Sequence, residues 1–223
     1  MFNYMTGYAR PERMDSLAFT PLTTRSTLVG RIEREIAFAR EGKPATIWLK
    51  LNSLVDEQLI DKLYEASCAG VKTMAVIRGI CCLRPGVPGL SQHIRVVSIV
   101  DRFLEHSRIL CVEHGGDQQW FISSADWMPR NLDRRIELLV PIEDPVCRRR
   151  LRFLMDACLT DTVKGRCLQA DGRYTRAYDP AAEPRRAQET LWHDAVAQAR
   201  ATEESEKGNF QPLRPSNGKR SAQ

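Results

Sequence analysis

Residues 46–77 decide the fold, and they read TIWLKLNSLVDEQLIDKLYEASCAGVKTMAVI. Both ends of this stretch are mainly apolar or β-branched, which is typical of buried strands. Between them Asp56 can cap a helix with Leu59 and Leu63 on its inward face, and Gly70 follows the end of that helix. A strand, a helix and a strand over about 30 residues predict a βαβ unit, and therefore parallel strands in one sheet.

The flanking segments extend this pattern in both directions. A helix is predicted to begin among the cap candidates Thr23, Thr24, Arg25 and Ser26 and to end at Gly42 and Pro44. Asp144 is expected to cap the last core helix. Further strands are predicted at 95–100, 109–113, 120–124 and 136–140, with a hairpin across 114–117. We therefore expect an α/β fold, a mixed β-sheet flanked by helices.

The length of 223 residues and the 43% hydrophobic content fit one domain with a tail. We predict an irregular lead-in segment at 1–22, a core domain at 23–176 and a tail at 177–223. The tail should be helical from Ala187 to Ala201 and disordered beyond Glu203, where polar and charged residues dominate.

The charge balance is mild, with 33 Lys and Arg against 28 Asp and Glu, a net charge of +5. That surplus permits an anionic partner without demonstrating one. No segment approaches the roughly 20 apolar residues of a membrane-spanning helix. The stretch Met1–Arg10 lacks the apolar core of a secretory signal, which predicts a cytoplasmic protein.

Seven cysteines raise the question of a disulfide framework or a metal site. They contain no C-x-x-C pair and their number is odd, so we expect neither, and no metal ligands are assigned. Cys81 and Cys82 are adjacent and could be redox-active, but packing within their loop is the favoured interpretation.

Two cations end neighbouring strands of the βαβ unit. Lys50 is followed by Asn52, and Arg78 opens a loop rich in glycine and proline at 79–89. Loops at the carboxyl ends of strands in open α/β sheets are where ligands bind, so the two cations should face one crevice that suits an anion. A solvated arginine that merely closes a strand is the alternative for Arg78.

A histidine and an arginine, His106 and Arg108, precede the predicted hairpin, and Ser123-Ser124 follow it. The order resembles the H-x-K and G-S layout of phospholipase D-like phosphoryl-transfer domains, with arginine replacing lysine. In that layout the imidazole attacks phosphorus or protonates the leaving oxygen, and the cation binds phosphate. An ordinary surface or core histidine remains the alternative. The run Arg148–Arg150 could touch a polyanion or be a solvated helix face.

Longer motifs carry a family resemblance over about residues 1–176. They are FNYMTGY at 2–8, KLNSLVD at 50–56, LYEAS at 63–67, RGICCLRPG at 78–86, RFLEHSR at 102–108 and SADWMPRNLDRR at 124–135. The chain resembles the C-terminal catalytic, phospholipase D-like domain of the long bacterial polyphosphate kinase.

The resemblance implies reversible transfer of the terminal phosphate of ATP to polyphosphate, through a phosphohistidine and with Mg²⁺. It implies ATP or ADP and polyphosphate as partners, a homo-oligomer in the full-length family and no specific nucleic acid. It also implies a cytoplasmic protein, with peripheral attachment to the inner membrane as a variant.

The resemblance also implies roles for particular residues. His106 matches the acid–base partner of the phosphorylated histidine, and Arg78 and His106 match contacts to the ATP phosphates. Lys50, Asn52, Arg84, Arg108 and Arg134 would line the same anionic tunnel.

One departure from the family is large. The phosphorylated histidine and the magnesium-linked arginines of the family lie in a preceding domain, and none of His93, His106, His114 and His193 matches that histidine. We therefore expect segment 1–22 to lead in from a missing upstream domain and the chain to have little kinase activity alone. The alternatives are a subunit that completes a split enzyme in trans and a non-catalytic polyphosphate- or ATP-binding module.

Overall fold

A computed structural model describes residues 6–8, 17–177 and 183–209, with side chains as far as 203. Within these residues nine strands form one sheet. The strands are Ala18–Phe19 (β1), Thr46–Leu51 (β2), Lys72–Ile77 (β3), Ile94–Ile99 (β4), Arg108–Val112 (β5), Gln119–Ser123 (β6), Leu138–Ile142 (β7), Gly165–Leu168 (β8) and Tyr174–Arg176 (β9). The helices are Thr24–Arg40 (α1), Glu57–Cys68 (α2), Pro129–Arg134 (α3), Pro145–Leu159 (α4) and Ala187–Asn209 (α5), and a 3-10 turn spans His114–Gly116.

The sheet has the order β1-β7-β6-β5-β2-β3-β4-β8-β9 and is mixed, as expected from the sequence. Strands β2, β3 and β4 are parallel, whereas β5 runs antiparallel to β2 and β6 antiparallel to β5. The carboxyl ends of β2, β3, β4 and β6 and the start of β5 therefore lie along one edge, called here the C-terminal edge.

The predicted βαβ unit is β2-α2-β3, and its helix begins as the sequence indicated. The Asp56 carboxylate accepts a hydrogen bond from the Leu59 amide at 3.2 Å, which satisfies one of the orphan donors of the helix start. Leu59 and Leu63 are fully buried beneath the sheet. Each such side chain contributes about 1.5–3 kcal/mol through removal of apolar surface from water.

Helices cover both faces of the sheet. One core layer packs α1 and α2 against the strands through residues such as Leu28, Ile32 and Leu63. The other layer packs α4 through Met155 and Cys158, and it includes Ala187 at the start of α5. No helix in the described ranges is long and apolar enough to cross a membrane.

Several expectations are confirmed and others need correction. Asp144 caps α4 by accepting from the Cys147 amide at 2.7 Å, and the predicted hairpin is β5-β6. Thr23 stands at the start of α1, but its side chain bonds Phe19 and does not cap the helix. The strand predicted at 136–140 lies at 138–142, because Glu137 exchanges hydrogen bonds with Thr20 and pairing with β6 begins after it.

The two chain ends also differ from the expectation in part. Ala18–Phe19 pairs with β7, so this part of the lead-in is not irregular; most of segment 1–16, including the motif start at 2–5, lies outside the described residues. Helix α5 begins at the predicted Ala187 but continues to Asn209, past the predicted end, and 210–223 lies outside the described residues. The division at 22/23 and 176/177 stays a prediction.

Backbone hydrogen bonds join the loops of the C-terminal edge. The Leu54 amide donates to Ile80 at 2.8 Å, and the Val55 amide donates to Trp127 at 2.8 Å. The Gly79 amide donates to the Asn52 carbonyl at 2.7 Å. A Cβ on Gly79 would lie 2.8 Å from that carbonyl oxygen, so only glycine lets the two loops approach this closely.

We predict that Gly79→Ala destabilises the chain by about 1–3 kcal/mol, because the Asn52 backbone must move away from the new methyl group. Gly30→Ala is the matched control, since Gly30 lies in α1 with no atom within 4 Å of an added Cβ. That change should stabilise by about 0.5–1 kcal/mol. Urea unfolding of both variants tests the difference, and equal stabilities would contradict the close approach.

Candidate functional site

Asp126 connects three parts of the C-terminal edge. Its Oδ1 accepts hydrogen bonds from the backbone amides of Asn52 at 2.8 Å and Ser53 at 3.2 Å. Its Oδ2 binds the Arg108 guanidinium at 3.0 Å. Its own amide donates to the Asn131 side chain on α3 at 3.0 Å. The loop after β2, the start of β5 and the loop after β6 are thereby fixed together.

Asn52 in turn orients Arg78. Both Nε and Nη2 of Arg78 donate to the Asn52 side-chain oxygen, at 3.1 and 3.0 Å. Arg78 is half-buried, and this partner is a neutral amide. No carboxylate in the described residues lies within salt-bridge distance of Arg78, although its charge is near enough to Glu105 to lower the pKa of that carboxyl.

Lys50 is buried, with 4% of its surface exposed. Its ammonium lies 2.9 Å from the Glu105 carboxylate. Burial alone would raise the pKa of Glu105, but the hydrogen bond from Lys50, together with Gln188 and the charge of Arg78, lowers it below its ordinary value. Glu105 is therefore ionised at neutral pH and neutralises Lys50.

His106 is exposed in the segment between β4 and β5. Its carbonyl accepts a hydrogen bond from Arg108 Nη1 at 2.9 Å, which ties the histidine backbone to the Asp126 network. The residue lines a groove of about 420 Å³. That groove is bounded by Phe103, Glu105, His106, Ser107, Leu154, Gln188, Leu191 and Trp192.

The structure thus brings together Lys50, Asn52, Arg78 and Arg108, with His106 adjacent. Arg84 and Arg134 are exposed, and no described side-chain contact joins them to this cluster. The Arg84 amide donates to the Tyr64 hydroxyl at 2.8 Å. Arg134 ends α3, the helix whose Asn131 holds Asp126.

Sequence reasoning did not single out three residues that organise the site: Asp126, Glu105 and Gln188. The signal for Asp126 was present, because a carboxylate in a turn of small residues directly after a strand can accept backbone amides. No local signal identifies Gln188, which lies more than 80 positions away in sequence from Glu105, its hydrogen-bond partner at 2.9 Å.

A second cluster of hydrogen bonds, centred on Arg25, joins helices near the edge. Arg25 of α1 makes two hydrogen bonds to the Asp56 carboxylate, at 2.7 and 2.8 Å, and contacts Asp133 of α3 at 2.9 Å. The hydrogen bond to Asp56 is the main cause of a raised pKa at Arg25. This arginine therefore joins the starts of α1 and α2 to α3.

The Cys81 thiol at the edge is not activated. Burial raises the pKa of the Cys81 thiol to about 11, so it stays protonated at neutral pH. All seven cysteines are free. These facts favour the packing interpretation for Cys81, which packs against the core, whereas Cys82 is exposed.

The carboxylates of the edge do not make a magnesium site by themselves. Asp126 and Glu105 are each engaged with a cation. In the ranges that the structure describes, no three His, Cys, Asp or Glu side chains are grouped so as to hold a metal ion.

Comparison with known proteins identifies the family of the chain. The family "Polyphosphate kinase C-terminal domain 2" matches residues 17–188. The chain belongs to this family. A polyphosphate kinase of Rhodopirellula baltica is 48% identical over 215 residues, 96% of this chain and 25% of that protein. One from Thermosynechococcus vestitus is 50% identical over 181 residues, 81% of this chain and 25% of that protein.

A solved polyphosphate kinase from Porphyromonas gingivalis shares the fold, with a TM-score of 0.86 and 37% identity. The match covers 90% of this chain and 31% of the Porphyromonas gingivalis chain. This chain therefore spans about a quarter of the length of the curated relatives it matches. The family assignment and the α/β fold, with a mixed sheet flanked by helices, are both confirmed.

We predict that Asp126→Ala lowers the free energy of unfolding by about 3 kcal/mol, because it leaves Arg108 without a counter-charge and two backbone amides without an acceptor. The control is Asp156→Ala, which removes an exposed pair with Arg152 on α4. That change should cost less than about 0.5 kcal/mol. Similar losses in thermal or urea unfolding would contradict the central role of Asp126.

Proposed function

We propose that this polyphosphate kinase domain contributes the phosphate-binding half of an ATP:polyphosphate phosphotransferase site, and that the site lies at the C-terminal edge of the sheet. The phosphate groups of ATP and of polyphosphate offer the same anionic oxygens, so one surface serves both. The observation that carries the proposal is the environment of Arg78. This half-buried cation is hydrogen-bonded to a neutral amide, whereas Lys50 and Arg108 are each paired with a carboxylate.

The charge balance of the cluster favours one principal anion contact. Lys50 is neutralised by Glu105, and Arg108 by Asp126. Within the described residues Arg78 forms no salt bridge, and its planar guanidinium is suited to two phosphate oxygens at once. In this proposal Asn52 aims Arg78, while Lys50 and Arg108 hold the surrounding loops in place and add positive potential.

His106 is proposed as the proton-handling group. It is exposed at the same edge, and its backbone is fixed through Arg108 to the Asp126 network. An imidazole can hold or release a proton near neutral pH, which suits transfer to or from a phosphate oxygen. By family resemblance, it would act on the phosphoryl group that a histidine outside this chain carries.

Magnesium belongs to the reaction by family resemblance and not through residues of this edge. When bound with ATP, Mg²⁺ neutralises phosphate charge. We propose that its ligands and the phosphorylated histidine come from the upstream part of the enzyme. Arg84 and Arg134 remain proposed contacts for the longer polyphosphate chain, since both are exposed cations near the edge loops.

We predict that Arg78→Gln weakens tripolyphosphate binding by about 10- to 100-fold, which corresponds to the loss of one charge-assisted contact. Arg149→Gln is the matched control, because it removes the same charge from an exposed position on α4. Isothermal titration calorimetry at fixed ionic strength measures both variants.

The control should bind within about twofold of the wild-type chain if only screened, distant charge is lost. Equal weakening by the two variants would indicate diffuse attraction to a basic surface and would contradict a site at Arg78. A salt dependence of binding that is shallower in Arg78→Gln than in wild type, by about one phosphate contact, would support it, by analogy with nucleic acids.

We also predict that the purified chain alone forms no polyphosphate from ATP and Mg²⁺, because groups that act as a unit lose nearly all rate when half are absent. Adding a chain that carries the upstream polyphosphate kinase domains tests complementation in trans. Robust synthesis by this chain alone would contradict the division of the site. No gain on mixing would favour a binding module over an in-trans subunit.

A further inference from the structure

The segment that leads to His106 is held by the start of α5 and by Arg186, the residue before it. Arg186 makes two hydrogen bonds to the Asp101 carboxylate, Nε to Oδ2 at 2.8 Å and Nη2 to Oδ1 at 2.7 Å. The Asp101 side chain is 2% exposed, and the hydrogen bond from Arg186 lowers its pKa. Segment 101–106 is therefore anchored at its beginning to a residue 85 positions later in sequence.

Gln188 holds the middle of the same segment through one side-chain amide. Its oxygen accepts from the Phe103 backbone amide at 2.8 Å, and its nitrogen donates to the Phe103 carbonyl at 2.8 Å. The same nitrogen donates to Glu105 Oε1 at 2.9 Å. Gln188 is 7% exposed, so both of its N–H donors are used in a largely water-free setting.

Glu105 connects Gln188 to the sheet. One carboxylate oxygen accepts from Gln188, and the other binds Lys50 at 2.9 Å. Lys50 is buried at the end of β2, beside the loop that carries Asn52. The residue before His106 is thus fixed from two directions, by α5 and by the central strand.

The start of α5 is itself a fixed point. Asp161 accepts the Ala187 amide through Oδ2 at 2.8 Å. Through Oδ1 it accepts the amides of Val163, Lys164 and Gly165, which lead into β8. Asp161 is 1% exposed, so the helix start is joined to the sheet by a buried carboxylate.

We propose that Gln188 is a positioning residue, whose side-chain amide sets the path of segment 101–105 and thereby holds His106 at the C-terminal edge. The importance of His106 to phosphate chemistry rests on the proposed function. Gln188 touches no reacting group, and it acts through Phe103 and Glu105.

The decisive variant is Gln188→Met, which keeps the length of the side chain and removes both donors and the acceptor. Gln198→Met is the matched control on the same helix, where the amide contacts Asp194 and Arg150. Hydrogen exchange of the Phe103 amide should accelerate at least tenfold in Gln188→Met and stay unchanged in the control. An unchanged Phe103 amide in Gln188→Met would overturn the proposal.

Tripolyphosphate titration followed by NMR separates positioning from general stability. In Gln188→Met the backbone resonances of Asn52 and Arg78 should still respond, whereas the response of the His106 ring should fall to less than half of its wild-type value. Loss of all three responses together, or an undiminished His106 response, would overturn a positioning role.

Gln188→Glu provides a second variant if the first does not fold. It keeps an acceptor for the Phe103 amide but removes the donors and brings a second carboxylate to Glu105. We expect Phe103 exchange closer to wild type with the same loss of the His106 response. If wild-type resonances do not respond to tripolyphosphate at all, the proposed function fails, while Phe103 exchange still decides whether Gln188 fixes the segment.

Discussion

One buried carboxylate, that of Asp126, sets the arrangement of the C-terminal edge. Parallel strands bring the ends of β2, β3 and β4 to one side of the sheet, but strand direction alone does not fix the loops that follow. Asp126 does so by accepting two backbone amides from the loop after β2 and by pairing with Arg108 at the start of β5. The orientation of Asn52, and through it of Arg78, follows from this constraint.

In the proposed site, the cations differ in whether a carboxylate is already paired with them. A buried ion pair costs desolvation energy that its attraction only partly offsets, so its main contribution here is geometric. Lys50 and Arg108 are held by carboxylates and organise the edge. Arg78 is hydrogen-bonded to the neutral amide of Asn52 and forms no salt bridge within the described residues. In the proposed site, the edge combines this frame of ion pairs with one principal anion contact, and α5 adds the hydrogen bonds of Gln188 to Phe103.

Local signals explain what the sequence could predict. Asp56 and Asp144 cap their helices because an acceptor at the first turn satisfies orphan amides, and β2-α2-β3 follows from its apolar pattern. The family resemblance named Lys50, Asn52, Arg78, His106 and Arg108 as site residues. It could not show that Lys50 and Arg108 are paired, because Glu105 and Asp126 reach them only through tertiary packing. The short strand β1 and the contacts of Gln188 likewise depend on partners that are far away in the sequence.

The most direct test of the account is a crystal structure of this chain grown with tripolyphosphate. We expect phosphate oxygens within hydrogen-bonding distance of the Arg78 guanidinium, with the chain of phosphates passing His106 and the Lys50–Glu105 and Arg108–Asp126 pairs intact. Tripolyphosphate bound instead along Arg148–Arg150 on α4, with Arg78 free of it, would contradict the placement of the phosphate site at the C-terminal edge.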